Sequence, residues 1–347
     1  MQARPDVSVL VPVRNEGRLI ASTARTILEQ HLAGTIEFLM IDGNSTDGTR
    51  DALEELAARD QRVRVLENPS GDLASALNIG LGEAHGEFVA KMDAHTYFPA
   101  DYLQIGVERL RRGDVNWVSG PPVPHGVDRW SRRVAIALGT PLGVGGSAKW
   151  PVRTPGSADA DEHDLRTGVF SGVWRRSVLE RVGGWSDGWP VNEDSELASR
   201  FLERGERIVC MRAMAASYVP RASLPALARQ YSRYGFYRAK TANRHPDSVG
   251  VSQLAPAALV ATQAGWLAGR RGRALARLAL GAYCAAQCVV CARVAANEDA
   301  SDAMLLPAVF TTMHMSFGAG WLAGCARFGV PARGIMRALQ TLARGSR

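Results

Sequence analysis

Acidic side chains and one histidine are the residues of this sequence best suited to chemistry. Asp42 and Asp93 each follow a short apolar run, and His95 stands two residues beyond Asp93. Farther along the chain, Glu193 and Asp194 are adjacent and precede a helical pattern. Carboxylates accept hydrogen bonds and bind divalent cations, and a well-placed carboxylate can remove a proton from a hydroxyl. The sequence therefore predicts a polar-ligand site that contains a cation, a general base, or both.

An alternation of apolar runs and helical patterns must position these side chains. The predicted elements, in chain order, are strand 7–13, helix 18–30, strand 36–41, helix 48–59, strand 63–66, helix 72–84 and strand 87–92. Strands that alternate with helices form a parallel sheet covered by helices on both faces. Ligands of such sheets bind beyond the carboxyl ends of the strands, where the polar clusters of this sequence lie. A nucleotide is therefore a plausible ligand.

Two common nucleotide-binding signatures are missing from the sequence. No G-x-G-x-x-G follows the first predicted strand, and no G-x-x-x-x-G-K-[ST] occurs anywhere. These gaps argue against a standard dinucleotide site and a P-loop. The loop after the first strand reads Arg14-Asn15-Glu16 instead, which also disfavours a nucleotidyltransferase with a glycine-rich loop.

The charge of the sequence is divided unevenly along the chain. The 347 residues carry a net charge of +7, and 46% of them are hydrophobic, which excludes a disordered or collagen-like chain. Residues 1–220 contain 25 basic and 30 acidic side chains, whereas residues 221–347 contain 16 and 4. The basic character thus belongs to the last third. Nucleic acid is not expected as a partner because the acidic front part offers no matching groove, so an anionic ligand or a membrane surface remains.

Four ordered motifs resemble family 2 glycosyltransferases with a GT-A fold. The motifs are Val9–Glu16, Ile41–Thr49, Ala76–Gly80 and Ala84–Glu87. Four further segments resemble the subgroup around succinoglycan-biosynthesis glucosyltransferases: Met92–His95, Asn192–Leu197, Arg229–Tyr231 and His314–Gly318. The resemblance implies an α/β fold with a GT-A-type, mostly parallel sheet and helices on both faces. An α-helical, membrane-associated C-terminal region is expected to follow it.

The resemblance also implies roles for individual residues. Asp194 matches the catalytic base of an inverting transfer, with Glu193 as its neighbour. Asp93 and His95 occupy the D-x-D position, where a divalent cation bridges the donor diphosphate; Mn²⁺ and Mg²⁺ both fit, and the imidazole favours Mn²⁺. The positions that match a nucleotide-sugar site are Pro12, Arg14, Glu16, Asp42, Asn78, Asp93, Gln230 and Arg233.

These roles together predict an inverting, metal-dependent glycosyltransferase. It would move a hexose from a UDP-sugar to a hydroxyl of a lipid-linked saccharide or another membrane-proximal acceptor, in polysaccharide or glycolipid biosynthesis. Two alternatives remain open. A polyprenyl-phosphate glycosyltransferase would use a phosphate acceptor and need less base catalysis, and a non-catalytic membrane scaffold would explain the histidine at position 95.

The expected organisation has three regions. They are a catalytic domain at 1–220, an amphipathic interface segment at 221–250 and a hydrophobic helical region at 251–347. Within the last region we predict two membrane spans, at 278–292 and 303–326. Basic segments flank this pair and the loop between them is acidic, so the positive-inside rule places the catalytic domain at the cytosolic face of the cytoplasmic membrane. A soluble helical cap is the alternative.

Overall fold

The computed structural model describes residues 4–17, 20–145, 147–150 and 161–345. The strands within these ranges are β1 Val7–Val13, β2 Ile36–Asp42, β3 Val63–Glu67, β4 Phe88–Lys91, β5 Thr96–Tyr97, β6 Trp117–Ser119, β7 Pro122–Pro124, β8 Glu162–Asp164, β9 Gly172–Arg175, β10 Ile208–Met211 and β11 Ala216–Tyr218. The α-helices are α1 Ile20–Leu28, α2 Thr49–Arg59, α3 Leu73–Glu83, α4 Tyr102–Arg111, α5 Arg129–Leu138, α6 Pro141–Val144, α7 Arg176–Val182, α8 Glu193–Glu203, α9 Leu224–Arg244, α10 Val251–Gln263, α11 Gly269–Ala295, α12 Ala300–Phe328 and α13 Ala332–Gly345.

The chain divides into two compact units. The first comprises Met1–Val123 and Pro155–Tyr218, and the second comprises Pro124–Thr154 and Val219–Arg347. The segment that carries α5 and α6 was predicted within the catalytic domain, but it groups with the later helices. One reason is a buried ion pair, in which Arg133 Nε on α5 lies 2.9 Å from Asp302 Oδ1 on α12. The predicted boundary at residue 220 otherwise stays a prediction.

A mixed, mostly parallel sheet organises the first unit. Its strand order is β3-β2-β1-β4-β9-β6-β10-β8, and β1 runs parallel to both β2 and β4. β9 runs antiparallel to β4 and β6, and β8 runs antiparallel to β10. The predicted α/β fold is confirmed, including all four predicted strands. Residues 18 and 19, which begin the first predicted helix, lie outside the described residues.

Alternating side chains of the strands fill two separate cores, one on each face of the sheet. On β2, Phe38 and Met40 pack into the core beneath α1, α2 and α4, whereas Leu39 and Ile41 pack into the core beneath α3, α7 and α8. Successive strand residues point to opposite faces, so a run of apolar residues without polar breaks is what a doubly covered strand requires. The sheet is thereby fixed from both sides, and its loops project from a rigid frame.

In the part that the structure describes, the second unit consists of helices and loops, apart from Pro124 at the end of β7, and α12 lies at its centre. Glycines allow α9 and α12 to approach closely: a Cβ added at Gly235 would lie 2.0 Å from the carbonyl oxygen of Phe317. The same holds in reverse for Gly320, where a Cβ would lie 2.0 Å from the oxygen of Ser232. The predicted interface segment 221–250 falls mainly on α9, which therefore contributes one face to the interior of this unit.

One described helix is long and apolar enough to cross a membrane, namely α11, which contains the predicted span 278–292. Only 6% of its most apolar window is buried, which is unlike a core helix of a soluble protein. The other predicted span, 303–326, falls on α12, which buries residues such as Phe310 and Trp321 against neighbouring helices. The number of spans stays a prediction.

Candidate active site

The loops that follow β1 and β2 are joined to each other by side chain–backbone hydrogen bonds. Asn15 and Asn44 adopt left-handed φ angles of 54° and 59°, which asparagine tolerates better than most residues. The Asn15 amide oxygen accepts a hydrogen bond from Thr46 N at 2.9 Å, and Asn15 N donates to Ser45 Oγ at 3.0 Å. This exchange fixes the two loops as one surface at the carboxyl edge of the sheet.

Three of the predicted nucleotide-binding residues lie on or beside this surface. Asp42 ends β2, is 6% exposed, and accepts weak hydrogen bonds of 3.4 Å from Ser45 N. Arg14 Nη1 donates to the carbonyl oxygen of Gly71 at 2.8 Å. Pro12 lies in β1 opposite Ile41 of β2. The structure therefore brings the ends of β1 and β2 together as the sequence suggested.

Glu16 connects the β1 loop to the loop after β4. Its carboxylate Oε1 lies 3.7 Å from His95 Nδ1, while its backbone N–H donates to Thr49 Oγ1 at 2.9 Å. Half of the His95 side chain is exposed, at 50% of its surface. His95 is thus accessible to a ligand.

A buried lysine lies between the two predicted chemical centres. Lys91, the last residue of β4, places Nζ 3.2 Å from Asp93 Oδ1 and 3.5 Å from Glu193 Oε1. The same ammonium donates to the carbonyl oxygen of Phe170. Residues 91 and 93 share a direction because side chains alternate along an extended chain. One ammonium therefore contacts the carboxylates of both Asp93 and Glu193.

Burial dominates the electrostatics of this centre. The Glu193 carboxyl is buried, and this raises its pKa to about 7; the ammonium of Lys91 opposes the rise, and the charge of Asp194 adds to it. Burial alone would lower the pKa of Lys91, but the charges of Asp93, Glu193 and Asp194 outweigh it and raise that pKa. Glu193 therefore exchanges its proton near neutral pH, while Lys91 stays charged.

The start of α8 presents the predicted base. Asn192 precedes the helix with a left-handed φ of 63°, and Glu193 and Asp194 occupy the first turn, where the helix dipole favours negative charge. Asp194 is half-buried, whereas Glu193 is only 6% exposed. The backbone at Gly168 lies so close to Asp194 that a Cβ at 168 would be 2.2 Å from the Asp194 carbonyl oxygen. Because its side chain is more exposed, Asp194 is the more accessible of the two carboxylates.

A second buried ion pair stabilises α8 from behind. Arg200 Nη2 lies 2.8 Å from Glu196 Oε2, and the guanidinium also donates to the carbonyl oxygens of Val182 and Gly184 at 2.8 and 2.7 Å. Ser186 Oγ donates to Glu196 as well, at 3.0 Å. The motif around residues 192–197 therefore contains a structural carboxylate, Glu196, beside the two that face the site.

Asn78 lies on α3 and holds a distant backbone segment. Its Nδ2 donates to the Trp185 carbonyl oxygen at 2.7 Å, and its Oδ1 accepts from Trp185 N at 2.9 Å. Trp185 itself is 3% exposed and packs edge-on against Trp174 at 5.7 Å between ring centroids. Both functional groups of the Asn78 amide are thus engaged by protein backbone, which gives this residue a structural contact in addition to its predicted role.

Gln230 and Arg233, the last two predicted binding residues, belong to the second unit. Both lie on α9, where Gln230 Nε2 donates to Tyr234 Oη at 2.9 Å and Arg233 is exposed. Their role at a donor diphosphate stays a prediction.

The side chains at Asp93 and His95 fit a partial cation site. Within the described ranges, no three His, Cys, Asp or Glu side chains form a cluster that could hold a metal ion. The protein would thus supply a carboxylate and an imidazole, and diphosphate oxygens and water would complete the coordination, as Mg²⁺ and Mn²⁺ sites commonly allow. Lys91 already contacts Asp93, so a cation there would share this carboxylate with the ammonium.

Lys91 is the residue that sequence reasoning missed. In the sequence, Lys91 is one more residue of a predicted buried strand. A lysine inside an apolar run, two residues before an aspartate, is nevertheless unusual. A buried ammonium needs charged partners. That signal could have found it.

Comparison with known proteins agrees with the geometry. Glycosyl transferase family 2 matches residues 8–183. The succinoglycan biosynthesis protein ExoA of Rhizobium meliloti is 30% identical over 253 residues, which cover 72% of this chain and 74% of that protein. The beta-monoglucosyldiacylglycerol synthase of Nostoc is 29% identical over 57% of this chain and 41% of its own length. A dolichyl-linked saccharide glucuronosyltransferase of Methanococcus voltae is 24% identical over 66% of this chain and 71% of its own.

Solved structures show the same fold. A mannosyltransferase from Pyrobaculum calidifontis, determined in complex with GDP-Man and Mn²⁺, superimposes with a TM-score of 0.56 at 22% identity. The match covers 93% of this chain and 88% of that protein, which confirms the GT-A-type fold. By sequence and by fold, the chain belongs to glycosyl transferase family 2 and is a glycosyltransferase.

Proposed function

We propose that this enzyme is an inverting, metal-dependent hexosyltransferase of polysaccharide or glycolipid biosynthesis. Its donor is a UDP-sugar, and its acceptor is a hydroxyl of a lipid-linked saccharide or another membrane-proximal molecule. The observation that carries the proposal is the half-buried carboxylate of Asp194, adjacent to a centre that joins Glu193, Lys91 and Asp93 at the carboxyl edge of the sheet.

Asp194 removes the proton from the attacking hydroxyl. General-base catalysis of this kind contributes about 10²–10⁴-fold to the rate. Glu193 assists because burial raises its pKa to about 7, so that its proton reduces the repulsion between neighbouring carboxylates. Asp194 is the better candidate for the base because it is more exposed than Glu193 and can reach an acceptor.

The donor occupies the edge formed by the loops after β1, β2 and β4. Asp42 accepts hydrogen bonds from the base or the ribose, and Pro12, Arg14 and Glu16 line the same edge. Asn78 is assigned to the donor by the family resemblance. A divalent cation, Mn²⁺ or Mg²⁺, held by Asp93 and His95 would neutralise charge on the leaving diphosphate. Asn78 acts here mainly through its hold on the backbone at Trp185.

On the second unit, Gln230 and Arg233 are assigned to the diphosphate and the acceptor. Arg233 is exposed and always charged, which suits a phosphate. Both assignments rest on the resemblance of Gln230-x-x-Arg233-Tyr234 to the family motif.

A membrane supplies the acceptor and holds the enzyme. Two relatives are named for lipids, one for monoglucosyldiacylglycerol and one for a dolichyl-linked saccharide. In this chain α11 is apolar and largely exposed, and α13 exposes Met336, Leu339 and Leu342 together with basic residues such as Arg333. An amphipathic basic helix and an exposed apolar helix both suit an anionic bilayer. We place the catalytic domain at the cytosolic face.

The test is a transfer assay with purified protein in lipid nanodiscs. UDP- and GDP-sugars are offered with lipid-linked saccharide acceptors, with Mn²⁺, Mg²⁺ or chelator, and nucleotide release and product are measured. We expect UDP release that requires metal and falls about 10²–10⁴-fold in Asp194→Asn. The matched control is Asp51→Asn, an exposed first-turn aspartate of α2, which should keep full activity.

Other outcomes would select the alternatives. Undiminished transfer by Asp194→Asn to polyprenyl phosphate would favour a phosphate acceptor. If calorimetry detects no binding of UDP or GDP with either metal, the non-catalytic scaffold replaces the enzyme.

A further inference from the structure

We propose that Lys91 is a positioning residue that holds the cation-binding carboxylate Asp93 and the base-bearing turn of α8 at a fixed separation. This inference rests on the proposed function, because the distance it fixes is the distance between donor and acceptor chemistry.

The contacts of Lys91 join three separate segments of the first unit. Its Nζ lies 3.2 and 3.4 Å from the two carboxylate oxygens of Asp93, which follows β4. It lies 3.5 Å from Glu193 Oε1 on α8, and it donates to the carbonyl oxygen of Phe170 before β9. The ammonium is hydrogen-bonded to two of these segments, through Asp93 and Phe170, and ion-paired with the third through Glu193.

The residue type supports a positioning role. Only three of the 41 basic residues in this chain are lysines, and one of them occupies this buried place. A lysine is a compact charge that can face oxygens in three directions, whereas the planar guanidinium of arginine favours pairs of oxygens in one plane. The side chain is 3% exposed, so its partners are fixed by the fold and not by solvent.

Charge balance makes the three carboxylates compatible with one another. Asp93, Glu193 and Asp194 would repel each other at close range, and the ammonium of Lys91 attracts all of them. Without it the first turn of α8 and the loop after β4 would separate. A displacement of about 1 Å at a reacting centre can lower a rate about 10²-fold even when ligands still bind.

A purely structural role for Lys91 makes a different prediction. A charge that only compensates buried carboxylates can be removed together with one of them, because the remaining centre is again balanced. A positioning charge cannot, since the contact that joins the segments is lost in both cases.

The experiment compares Lys91→Met, Glu193→Gln and the double variant in transfer assays, with donor binding measured by calorimetry. We expect Lys91→Met to lower kcat about 100-fold, with the donor Kd within about threefold of the wild-type value. The double variant should regain thermal stability over Lys91→Met but remain at least about tenfold below Glu193→Gln in kcat. A double variant as active as Glu193→Gln would overturn the proposal, as would a folded Lys91→Met with unchanged kcat.

Amide hydrogen exchange provides a readout that needs no transfer activity. In Lys91→Met, exchange should rise in residues 165–171 and in the first turn of α8, while the amides of β1 and β2 keep wild-type rates. Unchanged exchange in both segments would contradict the positioning role whatever the donor is. An inactive wild-type enzyme with this exchange pattern would refute the proposed function alone.

Discussion

The two units differ in the apolar side chains that they expose, but not in burying paired charges. Among the described residues, every large hydrophobic side chain that is exposed belongs to the second unit, from Val127 on one segment to Leu342 on the other. Both units bury paired charges: the Lys91–Asp93–Glu193 centre and the Glu196–Arg200 pair lie in the first, and the Arg133–Asp302 pair lies in the second. The second unit thus carries the exposed apolar surface that a membrane or another apolar partner would cover.

Buried ion pairs and exposed apolar helices are stabilised by different forces. Buried charges must be paired, and losing one partner leaves an uncompensated charge in a medium of low dielectric constant. An exposed apolar helix contributes little in water but favours a bilayer by about 25 cal/mol per Å² of buried apolar area. Removing a buried charge partner should therefore destabilise the unit that contains it, whereas detergent or lipid should act mainly on the second unit.

The largest effect is expected from breaking the charge pair behind the active site. Glu196→Gln leaves the guanidinium of Arg200 buried without its carboxylate and should destabilise the first unit by about 3–5 kcal/mol. Glu54→Gln, which removes an exposed partner of Arg50, is the control and should change stability by at most about 1 kcal/mol. Denaturant unfolding measures both. Equal effects would show that burial does not distinguish these pairs.

A smaller effect should follow from making the exposed helix polar. Leu278 on α11 is 71% exposed, so Leu278→Gln should not disturb packing in water. If lipid covers this face, the variant loses about 1.5–3 kcal/mol of stabilisation by detergent or bilayer. Calorimetry in detergent should show a lower transition for the second unit and an unchanged one for the first. Identical detergent dependence in wild type and variant would mean that α11 does not contact lipid.

The smallest effect is expected on the thermal stability of the first unit at low pH. Hydrogen bonds from Arg109 hold the pKa of Asp114 at about 2, below its unfolded value of 3.8. Because the folded pKa is depressed, this contribution is complete above about pH 4 and is lost as the pH falls through 2. The thermal midpoint of the first unit should therefore fall over this range, and less steeply in Asp114→Asn. A wild-type and a variant profile of equal slope would argue against the interaction.

Local patterns were enough to predict most of the catalytic fold. The β-branched run of β1 and the polar loop residues after β1, β2 and β4 were all readable because each depends on neighbours in sequence. The antiparallel insertion of β9 between β4 and β6 was not readable, since strand order is decided by tertiary pairing. The same limit hid the grouping of α5 with α12, which depends on a pair of residues 169 positions apart.

In the candidate site, too, some residues can be identified from the sequence and others only from the fold. Motif and position were enough to single out Asp42, Asp93, His95, Glu193 and Asp194, and their roles stay predictions. The role of Lys91 could not be predicted, because it depends on contacts with oxygen atoms of Glu193 and Phe170, which are distant in sequence. Asn78 was chosen for its place on α3, but its contact with Trp185 spans 107 residues and appears only in the fold.

The grouping of α5 with α12 also has a consequence for biosynthesis. Arg133 leaves the ribosome 169 residues before its partner Asp302, and at about 5–20 residues per second this is roughly 10–30 s. The first unit can be completed in that interval, because its last strand, β11, is finished at Tyr218. The nascent chain would then carry a folded catalytic unit interrupted by a helical segment that still awaits its partner. A ribosome stalled before residue 302 should therefore expose this segment to protease while β1–β4 are already protected.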